Sequence, residues 1–267
     1  VKNTPRIWLG IAIALSVLLL IGYGLVYQLQ PFPSFWNDFS LNAATVGAAF
    51  FTAAAALMVM SAYHQQDAVH RVWLFFSIGF TLWALAEIIW SYYNLTVGDV
   101  PIPSLSDYLW MAGYLFFGLG FVWQYRILFT LTLQRGLVFL VGISLITLAA
   151  TWFMQFQFGD LSSSSFVNLF YPIADLGVAI VAFRLVWSFR GGAMARAWLA
   201  LLVFSLADGF YAWLEQTGAY AWSVSTGNIL SLIADSIYIA AYLLLAVGFL
   251  YQFFLLRYGP WAFGKRK

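Results

Sequence analysis

Apolar residues in this chain come in runs about as wide as a bilayer, separated by short polar breaks. A run of about 20 apolar residues is long enough to cross the hydrocarbon core as a helix. The pattern predicts eight such spans, at 7–27, 43–63, 72–94, 106–127, 136–156, 167–189, 197–217 and 231–256. The first, preceded by Lys2 and Arg6, has the start of a signal peptide. The stretch at its far end, "YGLVYQLQPFPSFW", is bulky and offers no small-residue cleavage site, so the run reads as a true span. The second, "AATVGAAFFTAAAAL", is dense in small residues such as Ala44, Ala48, Ala49 and Ala53, which lets helices approach closely inside the bundle or against another chain. Tryptophans near the span ends (Trp8, Trp36, Trp73, Trp198, Trp222 and Trp261) are expected at headgroup depth.

Composition agrees. Of 267 residues, 63% are hydrophobic and 8% charged, with mean hydropathy +0.86, whereas soluble domains carry about 25% charged residues. The predicted fold class is an all-α integral membrane protein, a single membrane domain over 1–267 with no soluble portion large enough for a second.

The net charge of +2 says less than where the charges fall. Lys2 and Arg6 precede the first span, Arg71 lies between the second and third, and Arg126 and Arg135 lie near the fourth-to-fifth turn. Arg184, Arg190 and Arg196 flank the sixth-to-seventh turn, and Arg257, Lys265, Arg266 and Lys267 come after the eighth. All twelve fall on one side. Basic residues mark the cytoplasmic side, which predicts both termini there, with 257–267 as a basic cytoplasmic tail.

Two stretches resemble one another. "LSDYLWMAGYLFFGLGFVWQ" at 105–124 and "IADSIYIAAYLLLAVGFLYQ" at 233–252 share an aspartate, a tyrosine seven residues on, Gly-Phe and a glutamine. Sliding the chain by 128 residues aligns 74–124 with 202–252 without a gap, pairing Glu87 with Glu215, Tyr92 with Tyr220, Asp107 with Asp235, Tyr114 with Tyr242 and Gln124 with Gln252. Apolar composition does not readily place two acids and a glutamine in register. The reading is two four-helix repeats, 1–130 and 131–256. Four spans per half leave both halves in the same orientation, a parallel repeat about the membrane normal.

Acids inside a membrane are costly and are functional candidates by default. Asp107 and Asp235 fall at the outer starts of the fourth and eighth spans, where the helix dipole favours an anion. "SLSD" also sets Ser104 and Asp107 in a capping arrangement. Glu87 and Glu215 stand near the outer, C-terminal ends of the third and seventh spans, where the dipole opposes an anion. No Lys or Arg is available on that side. Each is either a structural hydrogen-bonding group or part of a site for a proton, a cation or a ligand donor. The expectation is that both point inward, toward Asp175, Asp208 or aromatic neighbours.

Helical spacing groups them further. Asp208, Tyr211 and Glu215 share one face of the seventh span, matched by Phe80, Trp83 and Glu87 on the third. Asp235, Tyr238 and Tyr242 share a face of the eighth, and Asp107, Trp110 and Tyr114 one of the fourth. With Asp175 in the outer half of the sixth, these faces predict an acidic and aromatic pocket open to the outside. Its candidate ligand-binding residues are Glu87, Glu215, Asp175, Asp208, Tyr211, Trp83, Asp107, Asp235, Tyr114 and Tyr242. "NLT" at 94–96 matches a glycosylation acceptor.

Several activities are excluded. There is no cysteine, hence no disulfide, thiolate metal site or cysteine nucleophile. No span contains a lysine for a retinal Schiff base, and the two histidines, His64 and His70, fall in a cytoplasmic loop. No phosphate-binding glycine loop, metal motif or nucleophile–base pair is visible, and no cofactor or nucleic acid is implied. An enzyme is not expected.

"WALAEIIW", "PIPSLSDYLWMAGYLFFGLG", "NLFYPIADLGVAIVAF", "SLADGFYAWLEQTGAY" and "LIADSIYIAAYLLLAVGFL" together resemble the multi-span N-terminal region of bacterial diguanylate cyclase (GGDEF) proteins. The resemblance covers roughly 70–256. It implies an integral membrane sensor in the bacterial cytoplasmic (inner) membrane. In that family a catalytic GGDEF domain comes after the eighth span, whereas here the sequence ends at "RYGPWAFGKRK". That fits either a piece of a longer chain or a stand-alone relative working through a partner. The leading expectation is a sensory or ligand-binding module that binds a small ligand or cation and signals to a cytoplasmic effector. The alternatives are an accessory structural subunit packed against other membrane-complex subunits and, third, a small ion or solute transporter.

Overall fold

In the computed structural model, residues 4–98, 100–129, 163–190, 192, 194–220 and 228–259 are described. Among them every regular element is a helix. The helices are α1 (Thr4–Leu29), α2 (Ser34–Ser61), α3 (Ala68–Thr96), α4 (Leu105–Phe129), α5 (Ser163–Ser188), α6 (Ala195–Gln216) and α7 (Ile229–Tyr258). All seven are long and apolar enough to cross a membrane. The chain is therefore a multi-pass membrane protein, and its exposed leucine, isoleucine and phenylalanine faces suit contact with lipid tails. α5, α6 and α7 correspond to the sixth, seventh and eighth predicted spans. The fifth, at 136–156, lies outside the described residues.

Each start and stop has a local cause. Pro33 precedes α2 and Asn228 caps α7, its side chain accepting from the Leu230 and Ser231 N–H groups. α7 ends at Gly259, whose φ of 73° lies in the left-handed region. Pro172 sits inside α5 and removes one backbone hydrogen bond a turn before Asp175.

α3 lies against both α4 and α2, α2 against α7, α7 against α6, and α6 against α5. A lighter contact of α4 with α5 closes the ring, and α1 packs outside it on α7 and α2. The α2 alanines fill the inner joint, with Ala48, Ala49, Ala53, Ala55 and Ala56 all buried. The small-residue stripe thus works within the bundle. α1 buries one narrow stripe that includes Ala12, Ser16, Tyr23 and Tyr27, flanked by half-buried Leu9, Leu19, Leu20 and Val26, and exposes its outer face.

The α3–α4 joint is tighter still. A Cβ on Gly79 would collide with the Phe117 ring, one on Gly113 with the Trp83 indole, and one on Gly120 would come within 2.9 Å of Phe76. Rings fill the space those glycines leave. Phe80 and Phe117 lie 4.7 Å apart between centroids, and at the separate α6–α7 joint Phe204 and Tyr242 are likewise 4.7 Å apart.

One end of the bundle is basic. Arg71 and Arg126 meet on the Trp123 ring at 5.8 and 4.2 Å, Arg184 reaches Phe129, and Arg196 stacks on Tyr251 at 4.2 Å. Two tryptophans expected to be half wet near headgroups are shielded inside the bundle instead. Trp73 and Trp198 are buried and pack against each other, 6.2 Å apart, among rings of the neighbouring helices such as Phe249 and Phe76. Trp8 and Trp36 are exposed on the bundle surface, and Trp222 and Trp261 lie outside the described residues.

Candidate functional site

The acids gather at the opposite end of the bundle, and each described one that lines or backs the cavity there is held by hydroxyl groups. Asp107 stands in the first turn of α4. It accepts from the Ser104 N–H at 2.6 Å and the Ser104 hydroxyl at 2.8 Å, which is the capping arrangement its spacing suggested. Its other oxygen accepts from Tyr171 of α5 at 2.9 Å.

Asp235 is its sequence counterpart but not its structural copy. α7 begins at Ile229, capped by Asn228, so Asp235 lies nearly two turns inside the helix and caps nothing. Its two oxygens accept from Tyr23 of α1 at 2.8 Å and from Tyr220 at 2.9 Å. Tyr220 belongs to the α6–α7 connection. Its own partial burial, the neighbouring Tyr211 phenol and the Asp235 carboxyl push the Tyr220 phenol well above its usual range, which keeps it a donor.

Glu87 is 3% exposed and points into the bundle. Tyr238 and Tyr242 of α7, one turn apart, donate to its Oε1 at 2.7 and 3.1 Å. No hydrogen bond from a described residue reaches its Oε2. The Trp110 indole lies beside this carboxyl, yet its N–H makes no hydrogen bond.

Asp175 of α5 and Asp208 of α6 converge on one hydroxyl. Tyr114 of α4 donates to Asp175 and lies 3.0 Å from Asp208. A phenol has one proton and serves one of the two at a time. The second oxygen of Asp175 is buried without a partner. Glu215 lies in α6 at the sequence equivalent of Glu87, and its side chain falls outside the described residues.

These groups surround a cavity of about 350 Å³. Six of the ten candidate residues line it: Trp83, Glu87, Asp107, Asp208, Tyr211 and Asp235. Asp175, Tyr114 and Tyr242 stand behind the wall and hydrogen-bond to members of it or to one another. Among the described lining residues there is no Lys, Arg or His. Nor do three His, Cys, Asp or Glu side chains converge closely enough, among the described residues, to hold a metal ion.

Sequence reasoning leaves Tyr23 and Tyr171 out of the site. Neither carries a distinguishing signal, since a tyrosine in an apolar helix reads as packing until its partner is known. Tyr220 is marked only through its pairing with Tyr92. Asn94 of the "NLT" triplet is buried inside α3 near the Asn42 side-chain amide, 3.3 Å away, so it is not presented as a glycosylation acceptor.

Comparison with family models, with curated proteins and with solved structures finds no match. What the fold and the site define is a class: a multi-pass helical membrane protein with an acidic, aromatic cavity inside one end of its bundle.

Proposed function

We propose that the protein is an integral membrane ligand-binding module of the sensory kind, in which occupancy of the cavity is passed to a cytoplasmic partner. The observation that carries this reading is Glu87. It is a buried carboxyl on a cavity wall, held by two tyrosines at one oxygen and accepting no hydrogen bond from a described residue at the other. Buried polar groups are normally satisfied, and an exception calls for a ligand, a proton or a water to complete it. A cavity of about 350 Å³ falls in the range of small-molecule sites.

The proposal extends to topology. The chain crosses the bacterial cytoplasmic membrane eight times, as two parallel four-helix repeats over 1–130 and 131–256, with both termini and the 257–267 tail cytoplasmic. The segregation of arginines to the end opposite the cavity supports it. So does a pair of reciprocal crossings. Tyr114 reaches from the fourth span to the sixth and seventh, at Asp175 and Asp208. Tyr242 reaches from the eighth to the second and third, where its carbonyl accepts from Thr52 and its hydroxyl donates to Glu87.

α7 is the natural output element. Its cavity end carries Tyr238 and its basic end Arg257, about 29 Å apart along the axis. The test is native mass spectrometry of the protein extracted from its own membrane into lipid nanodiscs. A bound small molecule is expected, and Ala212→Phe, which places a ring at the cavity wall, is expected to displace it. An empty cavity together with a stoichiometric second membrane protein would replace this reading with that of an accessory subunit.

A further inference from the structure

We propose that the ligand is an organic cation: a small molecule with an ammonium group on an apolar body. This rests on the ligand-binding reading above and narrows it to a chemical class.

Charge is the first argument. Glu87, Asp107, Asp208 and Asp235 all line the cavity, and no described lining residue is basic. The described arginines that make ring contacts do so at the far end of the bundle. Buried anions need a compensating charge or hydrogen-bond donors. Asp107 and Asp235 already have donors at both oxygens. Glu87 and Asp208 do not. Glu87 accepts no hydrogen bond from a described residue at Oε2, and Asp208 draws on a tyrosine hydroxyl that Asp175 also uses. The two acids come from different helices, α3 and α6, yet are near enough to feel each other's charge. An ammonium placed between them supplies the missing positive charge and N–H donors for the carboxylate oxygens left without a hydrogen bond.

The second argument is the rest of the wall. Trp83, Trp110, Tyr211 and Tyr238 surround these acids, and the last two rings stand 5.6 Å apart. Aromatic faces attract cations, and more strongly when water is excluded, while their bodies accept apolar groups. A metal ion fits less well, since no cluster of three ligating side chains is present among the described residues. A hydrated inorganic cation would leave the rings unused.

The test uses the full chain in nanodiscs and two matched pairs of probes: phenethylamine with its uncharged isostere 2-phenylethanol, and choline with 3,3-dimethylbutanol. Binding is read by isothermal calorimetry and by the shift in melting temperature. At least one charged probe is expected to bind saturably, with its neutral partner tenfold or more weaker. Glu87→Gln is expected to weaken the charged probe at least tenfold while the unliganded melting temperature holds, because the amide oxygen still accepts from Tyr238 and Tyr242. Asp208→Asn provides a second, independent loss on another helix. Equal binding of charged and neutral partners would overturn the organic-cation assignment and leave the ligand-binding reading standing. Unchanged affinity in Glu87→Gln, a potassium chloride shift as large as that of the probes, or no binding of any probe would also overturn the assignment. The mass-spectrometric experiment judges the broader reading separately.

Discussion

At Asp235, two helices and a loop are tied to one carboxyl. Tyr23 brings α1 to it and Tyr220 brings the α6–α7 connection. α1 has few other polar ties to the bundle, the Tyr27 hydroxyl donating to the Asn228 carbonyl at 3.2 Å being one. Tyr23→Phe removes a single hydroxyl without changing the ring. It should destabilise by about 1–2 kcal/mol, the range for a hydrogen bond to an acid or between membrane helices. Unfolding in mixed micelles would measure this, and protease access to α1 should rise alongside. Tyr114→Phe should cost more than Tyr23→Phe. It strips the one hydroxyl that Asp175 and Asp208 share, leaving two neighbouring acids with no donor from α4. A Tyr114→Phe variant as stable as the wild type would show that the pair is satisfied by other means.

Close helix approach is what requires glycine in this fold. Gly113 of α4 faces the Trp83 indole, and that indole is fixed by its own hydrogen bond to the Trp110 carbonyl at 3.0 Å. Gly113→Ala should therefore destabilise by about 1–3 kcal/mol, as overpacking does. It should also disturb the cavity, since Trp83 and Trp110 both line it. Gly24 of α1 has no atom within 4 Å of where a Cβ would stand. Gly24→Ala should be neutral or stabilising by up to about 1 kcal/mol, from helix propensity alone. Thermal unfolding of the two variants side by side checks the contrast. Equal effects would mean that α3 and α4 do not meet so closely.

Across the whole molecule, charge is polarised along the helix axes, with arginines at one end and the acid-lined cavity at the other. Basic residues favour the cytoplasmic side, so the cavity should open outward. The chain has no cysteine, so single cysteines can report this without background. A membrane-impermeant maleimide added to intact cells should label Val97→Cys, beyond the end of α3, and should miss Gln65→Cys, between α2 and α3. Both should react once the membrane is opened. The reverse pattern would invert the topology and place the cavity in the cytoplasmic half.

The periodicity of apolar runs was enough to place the seven described helices, because a bilayer demands a fixed length of apolar helix whatever lies beside it. Helical spacing also set Trp83 with Glu87 and Tyr238 with Tyr242, since residues three and four apart share a face. The dipole argument separated Glu87 from a capping acid, and the capping spacing of Ser104 with Asp107 is found as read. Other features depend on which helices meet, which a run of apolar residues does not encode. Asp107 and Asp235 looked alike in sequence. They differ because α7 begins further upstream of its aspartate than α4 does, under an Asn228 cap that has no equivalent in the first half. Trp73 and Trp198 read as interfacial, since hydropathy cannot say which way an indole faces; tertiary packing turned both inward. The tyrosine partners of the acids come from residues as distant as Tyr23 and Asp235. Single-chain patterns could mark the acids as unusual because burying a charge is costly anywhere in a membrane. Only the packed bundle decided which hydroxyls answer them and which carboxyls, Glu87 and Asp175, keep an oxygen that accepts no hydrogen bond from a described residue.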